Sequence, residues 1–254
     1  MSTGDPIASS SEQEKSQEGV LRDNAELLPS VSDPAFTEDL AMALLKRNDL
    51  PAEVLERLSK NSLAIKSRKV KRAIIGHPRT PRYISLALLR HLFTFDLMQV
   101  ALTPAVPGDV KMAAEEALIN RLETLSPGER LSLARRASAR VAGALLPDQE
   151  ARVMSAAMDN ARLTEAHIIR VLQGARAGAA LVRAVCNHAK WSLRREVRIA
   201  LLRHAKTPMS HALEFAQSFS PAILREILKT SRMPAMVKAR IGEQVAGRGQ
   251  GSKG

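Results

Sequence analysis

The residues between Lys190 and Arg198 are the densest group of side chains that could bind a ligand. Trp191, the only tryptophan, stands next to Lys190 and ahead of Arg194, Arg195 and Arg198. An exposed indole can stack on a nucleic-acid base, and neighbouring guanidinium groups can hold the phosphates. The structural alternative, which we favour, is a helix start at which the lone indole packs between repeats.

The helix that follows this group is predicted to have a charged side. Arg194 and Arg198 are one helical turn apart, on the face opposite Leu193, Val197 and Leu201. We therefore expect both arginines to face solvent. The pattern predicts a charged surface and does not by itself identify a ligand.

Further basic side chains recur along the chain. The candidates that we add to the binding surface are Arg68, Lys69, Arg72, Arg79, Arg82, Arg135 and Arg136. If the repeats stack in register, some of these cations form a ridge that could track phosphates with salt-dependent affinity. A solvated helix face, or a docking site for the protein's own acidic N-terminal segment, explains the same pattern. Aromatic residues make up only 3% of the chain, which weakens the case for single-strand binding.

The sequence contains no pattern typical of catalysis or metal binding. His77, His188 and His204 share one repeat position, where a histidine more often fills a turn than binds a metal. Cys186 is the only cysteine, so neither an intramolecular disulfide nor a cysteine zinc site can form within the chain. No Gly-rich phosphate loop, nucleophile elbow or paired carboxylates occur. We therefore predict a non-enzymatic protein without cofactor or metal.

Charge divides the chain into an acidic start and a basic body. Residues 1–35 carry seven acids and two bases, whereas the remainder carries 36 bases against 19 acids. The composition predicts a disordered acidic tail at 1–34 and a flexible tail at 247–254. We hypothesise that the acidic tail folds back on the basic body. The start lacks a secretory pattern and the apolar runs are too short for a bilayer, so we expect a cytoplasmic protein without membrane contact.

The body, residues 35–246, has the apolar spacing of short helices. Hydrophobic residues make up 45% of the chain and recur three and four apart, with breaks at Pro, Gly, Ser, Thr or Asn. Four Ser/Thr–Pro pairs predict an N-cap followed by proline at the first helical position, namely Thr80–Pro81, Ser126–Pro127, Thr207–Pro208 and Ser220–Pro221. We expect about fifteen short helices and no strand, arranged as a stacked array.

One turn motif occurs twice almost unchanged. Residues 70–81 read VKRAIIGHPRTP and residues 197–208 read VRIALLRHAKTP, with five identical positions. Weaker copies of this frame begin at residues 40, 153, 181 and 223. The intervals between frames are irregular, and the shortest, from 181 to 197, is 16 residues. The array is therefore predicted to be degenerate, with insertions or lost helices.

The HPRTP and HAKTP turns between short aliphatic helices resemble the leucine-rich repeat variant family, and the chain is also similar to HEAT-like α-solenoids. The resemblance covers about residues 36–246, with His77 and His204 standing where the family has asparagine. It implies an all-α fold, an α-solenoid of degenerate short helical repeats with a concave binding face. An irregular helical bundle is the alternative within the all-α class.

The favoured functional prediction is a scaffold that binds an acidic protein partner on its concave face. The alternative is a nucleic-acid-binding protein that uses an Arg/Lys ridge. A DNA glycosylase-type enzyme is least favoured, because Trp191 and Tyr83 lie far apart in the sequence and no Trp/Asp/Arg constellation accompanies them.

Overall fold

The computed structural model describes Val31 and residues 36–250, in two compact units that meet between Asn120 and Arg121. The predicted N-terminal tail, apart from Val31, and residues 251–254 lie outside the described residues. Val31 is buried, and its carbonyl accepts a 2.7 Å hydrogen bond from the Asn61 side chain. The last helix continues to Gln250, whereas the sequence predicts a flexible tail from residue 247.

The first unit is built from short helices joined by tight turns. Its helices are α1 (Glu38–Leu44), α2 (Ala52–Lys60), α3 (Arg68–Gly76), α4 (Arg82–Leu89), α5 (Thr94–Leu102) and α6 (Gly108–Arg121), with a 3-10 turn at Ala64–Lys66. α3 packs on both α1 and α5, so alternate helices of this unit lie side by side.

The second unit continues this alternation. After a 3-10 turn (Leu122–Thr124) it contains α7 (Pro127–Arg136), α8 (Ala139–Leu145), α9 (Ala151–Met158), α10 (Glu165–Gln173), α11 (Ala179–Asn187), α12 (Arg195–Arg203), α13 (Met209–Ala216), α14 (Pro221–Lys229) and α15 (Ala235–Gln250). In one row, the α8 row, each of α8, α10, α12 and α14 packs on the next. In the other, the α7 row, α9 packs on α7 and on α11.

The predicted fold class is confirmed. Residues 36–250 form fifteen α-helices and contain no strand, and alternate helices pack together as in an α-solenoid. The core of each unit consists mainly of Ala, Leu, Val and Ile, and Leu58, Leu133, Val182 and Leu201 are completely buried. These small and aliphatic side chains allow short helices to approach closely, and their burial contributes about 25 cal/mol per Å².

Two helix starts follow the predicted capping. The Ser126 Oγ accepts the Glu129 N–H at 3.3 Å, and the Glu129 carboxylate accepts the Ser126 N–H at 3.0 Å, which completes a capping box at the start of α7. Ser220 caps α14 in the same position, with Pro221 as the first helical residue. Both starts are thus determined by residues within one helical turn.

The two clear copies of the turn motif make the same hydrogen bonds. The Thr80 hydroxyl donates to the Ile74 carbonyl and the Thr207 hydroxyl donates to the Leu201 carbonyl, both at 2.6 Å. The prediction that these threonines are N-caps is wrong, because each hydroxyl binds a carbonyl at the end of the preceding helix instead. The proline after each threonine occupies the N-cap position of the next helix.

The histidines of the frame close the same turns. The Nδ1 atoms of His77, His188 and His204 each accept the backbone N–H of the residue two positions later, at 3.2, 3.2 and 3.1 Å. An imidazole that accepts at Nδ1 carries its proton on Nε2 when it is neutral. These histidines therefore have a structural role in the turn.

Polar side chains in the turns also reach the corresponding turn one repeat earlier. The His77 Nε2–H donates to the Arg47 carbonyl at 2.7 Å, 30 residues back. The Ser231 hydroxyl donates to the Leu202 carbonyl at 2.7 Å, 29 residues back. These contacts, called inter-repeat rungs below, satisfy carbonyls at the end of the earlier helix or in the turn that follows it.

Asn160 forms the most deeply buried rung. Its side-chain amide donates to the Ala134 carbonyl at 2.7 Å and to the Ala137 carbonyl at 3.2 Å, while its Oδ1 accepts the Arg162 N–H at 2.8 Å. One side chain therefore joins the end of α7 to the turn after α9. Three backbone groups would lose a hydrogen-bond partner without it.

The 16-residue interval between two frames has a simple structural cause. The frame at 181 spans the end of α11 and the frame at 197 spans the end of α12, and these helices are consecutive. The motif therefore marks helix ends in both rows of the second unit. No lost helix is needed to explain this interval.

Replacing Asn160 by alanine should destabilise the fold. Because three buried or partly buried backbone groups lose their partner, we expect N160A to lower the free energy of unfolding by about 2–3 kcal/mol. Urea denaturation followed by circular dichroism measures the change. The control N187A removes an exposed asparagine at the end of α11 and should change stability by less than about 0.5 kcal/mol. Equal, small effects of both variants would contradict a stabilising rung.

Candidate binding surface

Two candidate arginines of the first unit neutralise a buried carboxylate. Asp96 is only 4% exposed, and its carboxylate oxygens lie 2.8 Å from the Arg68 Nε and 3.5 Å from the Arg72 Nε. The Arg68 guanidinium also lies 5.0 Å from the centroid of the Phe93 ring. A buried carboxylate is costly without cationic partners, so the main role of these arginines is to stabilise the fold.

The other candidate cations of the first unit also have partners. Lys69 pairs with Glu38 at 3.4 Å, Arg82 pairs with Asp109, and Arg79 donates to the Asp49 carbonyl at 2.9 Å. Residues 36–120 carry 13 bases against nine acids, so this range is only weakly basic. Its cations fit the ion-paired, solvated helix face better than a phosphate-tracking ridge.

Trp191 is buried, which corrects its inclusion in the candidate surface. Trp191 is only 2% exposed, and its Nε1–H donates to the Met158 carbonyl at 2.9 Å, 33 residues back. The Lys190 Nζ lies 4.1 Å from the centroid of the ring. An indole held in this way cannot stack on a base. It packs between repeats, which is the alternative that we favour from the sequence.

The surroundings of α12 match the predicted face in part. Val197 and Leu201 are buried, as expected from the helical spacing, and Arg194, the N-cap residue of α12, is exposed. Leu193 is also exposed, at 70%, because it lies in the turn before α12, which begins at Arg195. Helical spacing therefore does not apply to Leu193.

The remaining candidate arginines of this group contact their own fold. The Arg198 Nε donates to the Ser192 carbonyl at 2.6 Å, and its guanidinium lies 5.3 Å from the centroid of the Phe215 ring. Arg198 is half-buried, so the expectation that it faces solvent is only partly met. Arg195 is exposed and pairs with Glu196 at 2.8 Å. Of this group, Trp191 is buried and Arg198 is half-buried, so the exposed cations are Lys190, Arg194 and Arg195.

An open groove between α7 and α9 brings together two exposed cations of the second unit. Its volume is about 680 Å³, and it is lined by Leu131, Arg135, Ala151, Arg152, Ser155, Ala156 and Asp159. Arg135 is among the predicted candidates, and Arg136 beside it is exposed as well. Arg152 was missed because no basic neighbour marks it in the sequence. Only the packing of α9 on α7 places it in the same groove as Arg135.

The second unit carries most of the positive charge. Residues 121–250 contain 22 bases against 10 acids. The three aromatic side chains of this range, Trp191, Phe215 and Phe219, are all buried. The unit therefore attracts anionic partners but offers no aromatic platform for stacking bases.

The thiol of Cys186 is unsuited to nucleophilic chemistry. Burial raises its pKa to about 12, with a smaller contribution from Glu214. The thiol therefore stays protonated at neutral pH. Across the described ranges, no three His, Cys, Asp or Glu side chains are grouped so that they could hold a metal ion. Of the helices described above, none combines the length and the apolarity needed to cross a membrane.

His204 differs from the other turn histidines in its surroundings. Burial lowers its pKa, and the positive charges of Lys206 and Arg232 lower it further. Its Nδ1 accepts the Lys206 N–H, so protonation would also remove an acceptor from the turn. The folded protein therefore favours the neutral ring.

The lowered pKa of His204 predicts a pH-dependent stability. As the pH falls below the ordinary histidine pKa of about 6.5, the unfolded chain takes up a proton that the folded chain still excludes, and the free energy of unfolding decreases until the pH passes the lower folded-state pKa. H204N keeps an acceptor for the Lys206 N–H but cannot titrate. Its free energy of unfolding should fall less than that of the wild type between about pH 7.5 and pH 5.5. Urea denaturation at several pH values measures both, and parallel curves would contradict the prediction.

The chain has no significant match among known proteins. No protein-family model matches the chain, and neither the curated proteins nor the solved structures include a significant match. The all-helical architecture, compatible with a helical repeat, thus rests on the observed contacts between alternate helices.

Proposed function

We propose that this chain is a non-enzymatic helical-repeat scaffold that binds an acidic segment of a partner protein. The observation that carries the proposal is the groove between α7 and α9. Arg135 and Arg152 line it, are exposed, and have no carboxylate partner among the described residues. The sequence predicts a binding site on a concave face, and we propose this groove as the site.

The lining of the groove suits a segment with both acidic and aliphatic side chains. Leu131, Ala151 and Ala156 are the apolar residues of the lining, and the two arginines provide charge that is unpaired within the described residues. Contact with the apolar residues would supply affinity, whereas the cations would supply orientation and a faster encounter with an acidic partner. The excess of bases over acids in residues 121–250 acts in the same direction.

Nucleic-acid binding is the second candidate, and the charge of the second unit favours it. One observation weighs against it. The aromatic rings of residues 121–250 are buried, which removes the stacking contacts that single-strand binders use. An acidic protein segment therefore remains the better-supported ligand.

We further propose that the repeats are of the HEAT-like or leucine-rich-repeat-variant type. Asn160 occupies the frame position of His77 and His204, and it is the residue type that the variant family has there. It makes the same two kinds of contact as His77, one within the turn and one to the preceding repeat. A cytoplasmic location stays a prediction from the sequence.

A fluorescence-anisotropy titration tests the proposed function. A labelled short peptide of Glu, Asp and Leu should bind the full-length protein, and its Gln/Asn/Leu counterpart should not. In R135Q/R152Q the acidic peptide should bind about tenfold more weakly, because both unpaired charges of the groove are lost. Titrations at about 50 and 200 mM salt, the range over which phosphate contacts weaken steeply, should be repeated with a single-stranded DNA oligonucleotide of equal charge.

The matched control is R170Q/R225Q, which removes two exposed arginines from α10 and α14 in the other row. It lowers the net charge equally and should leave peptide affinity nearly unchanged. An equal loss in both double variants would show that binding depends on net charge alone and would overturn the groove as the site. DNA binding that exceeds peptide binding at the higher salt would favour the second candidate.

A further inference from the structure

A second groove lies at the C-terminal ends of α10, α12 and α14 in the α8 row. Its volume is about 480 Å³, and its lining includes Arg203, His204, Lys206 and Arg232 together with the turn that follows Gln173. Arg203 and Arg232 come from different repeats and are joined by a 2.9 Å hydrogen bond between the Arg232 N–H and the Arg203 carbonyl. The repeat geometry thus brings cations that are 29 residues apart in the chain into one groove.

The inter-repeat rung is incomplete at this groove. The Nε2 of His77 binds the Arg47 carbonyl, and the Nε2 of His188 lies 3.2 Å from the Asp159 carboxylate. His204 closes its turn through Nδ1 in the same way, but its Nε2 has no hydrogen-bond partner among the described residues. The proton on this Nε2 is therefore a donor available to a ligand in the groove.

The charges around the groove are unbalanced. Its lining contains three cations and no carboxylate. Within the described residues, neither Arg203 nor Arg232 has an ion-pair partner, and the Lys206 Nζ makes only a 3.3 Å contact with the Ala177 carbonyl. The pKa of His204 is lowered by burial and by the positive charges of Lys206 and Arg232, so both cations lie close enough to affect this ring. Like charges held together in this way favour an anion between them.

Cations at helix C-termini also interact favourably with the helix dipole, which is the plainer explanation for them. That explanation requires one exposed cation near each helix end, whereas Arg203 and Lys206 both lie at the end of α12. It also does not account for the unused donor of His204. A bound anion accounts for both.

We infer that this groove is a binding site for a phosphate monoester. Two guanidinium groups, an ammonium group and an imidazole N–H match a dianion with three free oxygens better than a carboxylate or a phosphodiester, each of which carries a single charge. The volume exceeds that of a phosphate group, and Leu172, Ala177 and Ala200 offer apolar contacts to the group that carries it. The inference does not rest on the proposed function, since it uses different residues in the other row.

The first experiment titrates the full-length protein with O-phosphoserine, AMP and a dinucleotide phosphodiester by isothermal titration calorimetry at constant ionic strength. The two monoesters should bind saturably, and the phosphodiester at least about tenfold more weakly. In R203Q/R232Q the monoester affinity should fall at least about tenfold. The relative affinities of phosphoserine and AMP show whether a modified side chain or a nucleotide is the better source of the phosphate.

Matched controls separate this site from general charge effects. R183Q/R225Q removes two other exposed arginines of the second unit and should keep monoester binding, and R135Q/R152Q should keep it as well. Proton NMR of the histidine ring signals gives the location, because the signal that phosphate shifts most should be the one missing from H204N. Absence of saturable binding, equal losses in R203Q/R232Q and R183Q/R225Q, or a shift of other histidine signals only would each overturn the inference.

Discussion

The last carbonyls of an α-helix have no partner within the helix, and a chain of many short helices therefore has many such groups. In this protein, the inter-repeat rungs supply donors from the turn of the next repeat, as Asn160, His77 and Ser231 do for the helix ends before them. Because the donors come from 23 to 30 residues further along the chain, these bonds specify which helices lie side by side. Apolar packing of Ala and Leu faces alone would tolerate sliding of one helix along another.

The same constraint decides which polar residues are left for a ligand. Side chains that complete rungs and turns are occupied, which applies to His77, Asn160 and the indole of Trp191. Arginines that neutralise Asp96 in the first unit are occupied as well. Within the described residues, donors without a partner lie at two places. One is His204, where the rung is incomplete, and the other is the groove between α7 and α9, which contains Arg135 and Arg152.

The two grooves of the second unit differ in the ligand that each suits. The groove between α7 and α9 is lined by apolar residues, two arginines and a carboxylate, Asp159, which suits a peptide with mixed side chains. The groove at Arg203, Lys206 and Arg232 contains cations without a carboxylate, which suits a compact anion of higher charge. One repeat architecture thus provides two distinct surfaces, because the rows expose different ends and faces of their helices.

The positions of the helices, the capping at Ser126 and Ser220 and the recurrence of the turn motif were determined by the sequence alone, because each depends on residues within a few positions of one another. The same local patterns failed for Thr80 and Thr207, whose hydroxyls bind carbonyls of the preceding helix, and for Leu193, which lies outside the helix that the spacing assumed. Which cations are free was decided only by the tertiary structure. Arg68 is paired through Asp96, 28 residues away, while Arg135 and the isolated Arg152 meet only because α9 packs on α7. These pairings depend on contacts between repeats, which the spacing of residues within one repeat does not specify.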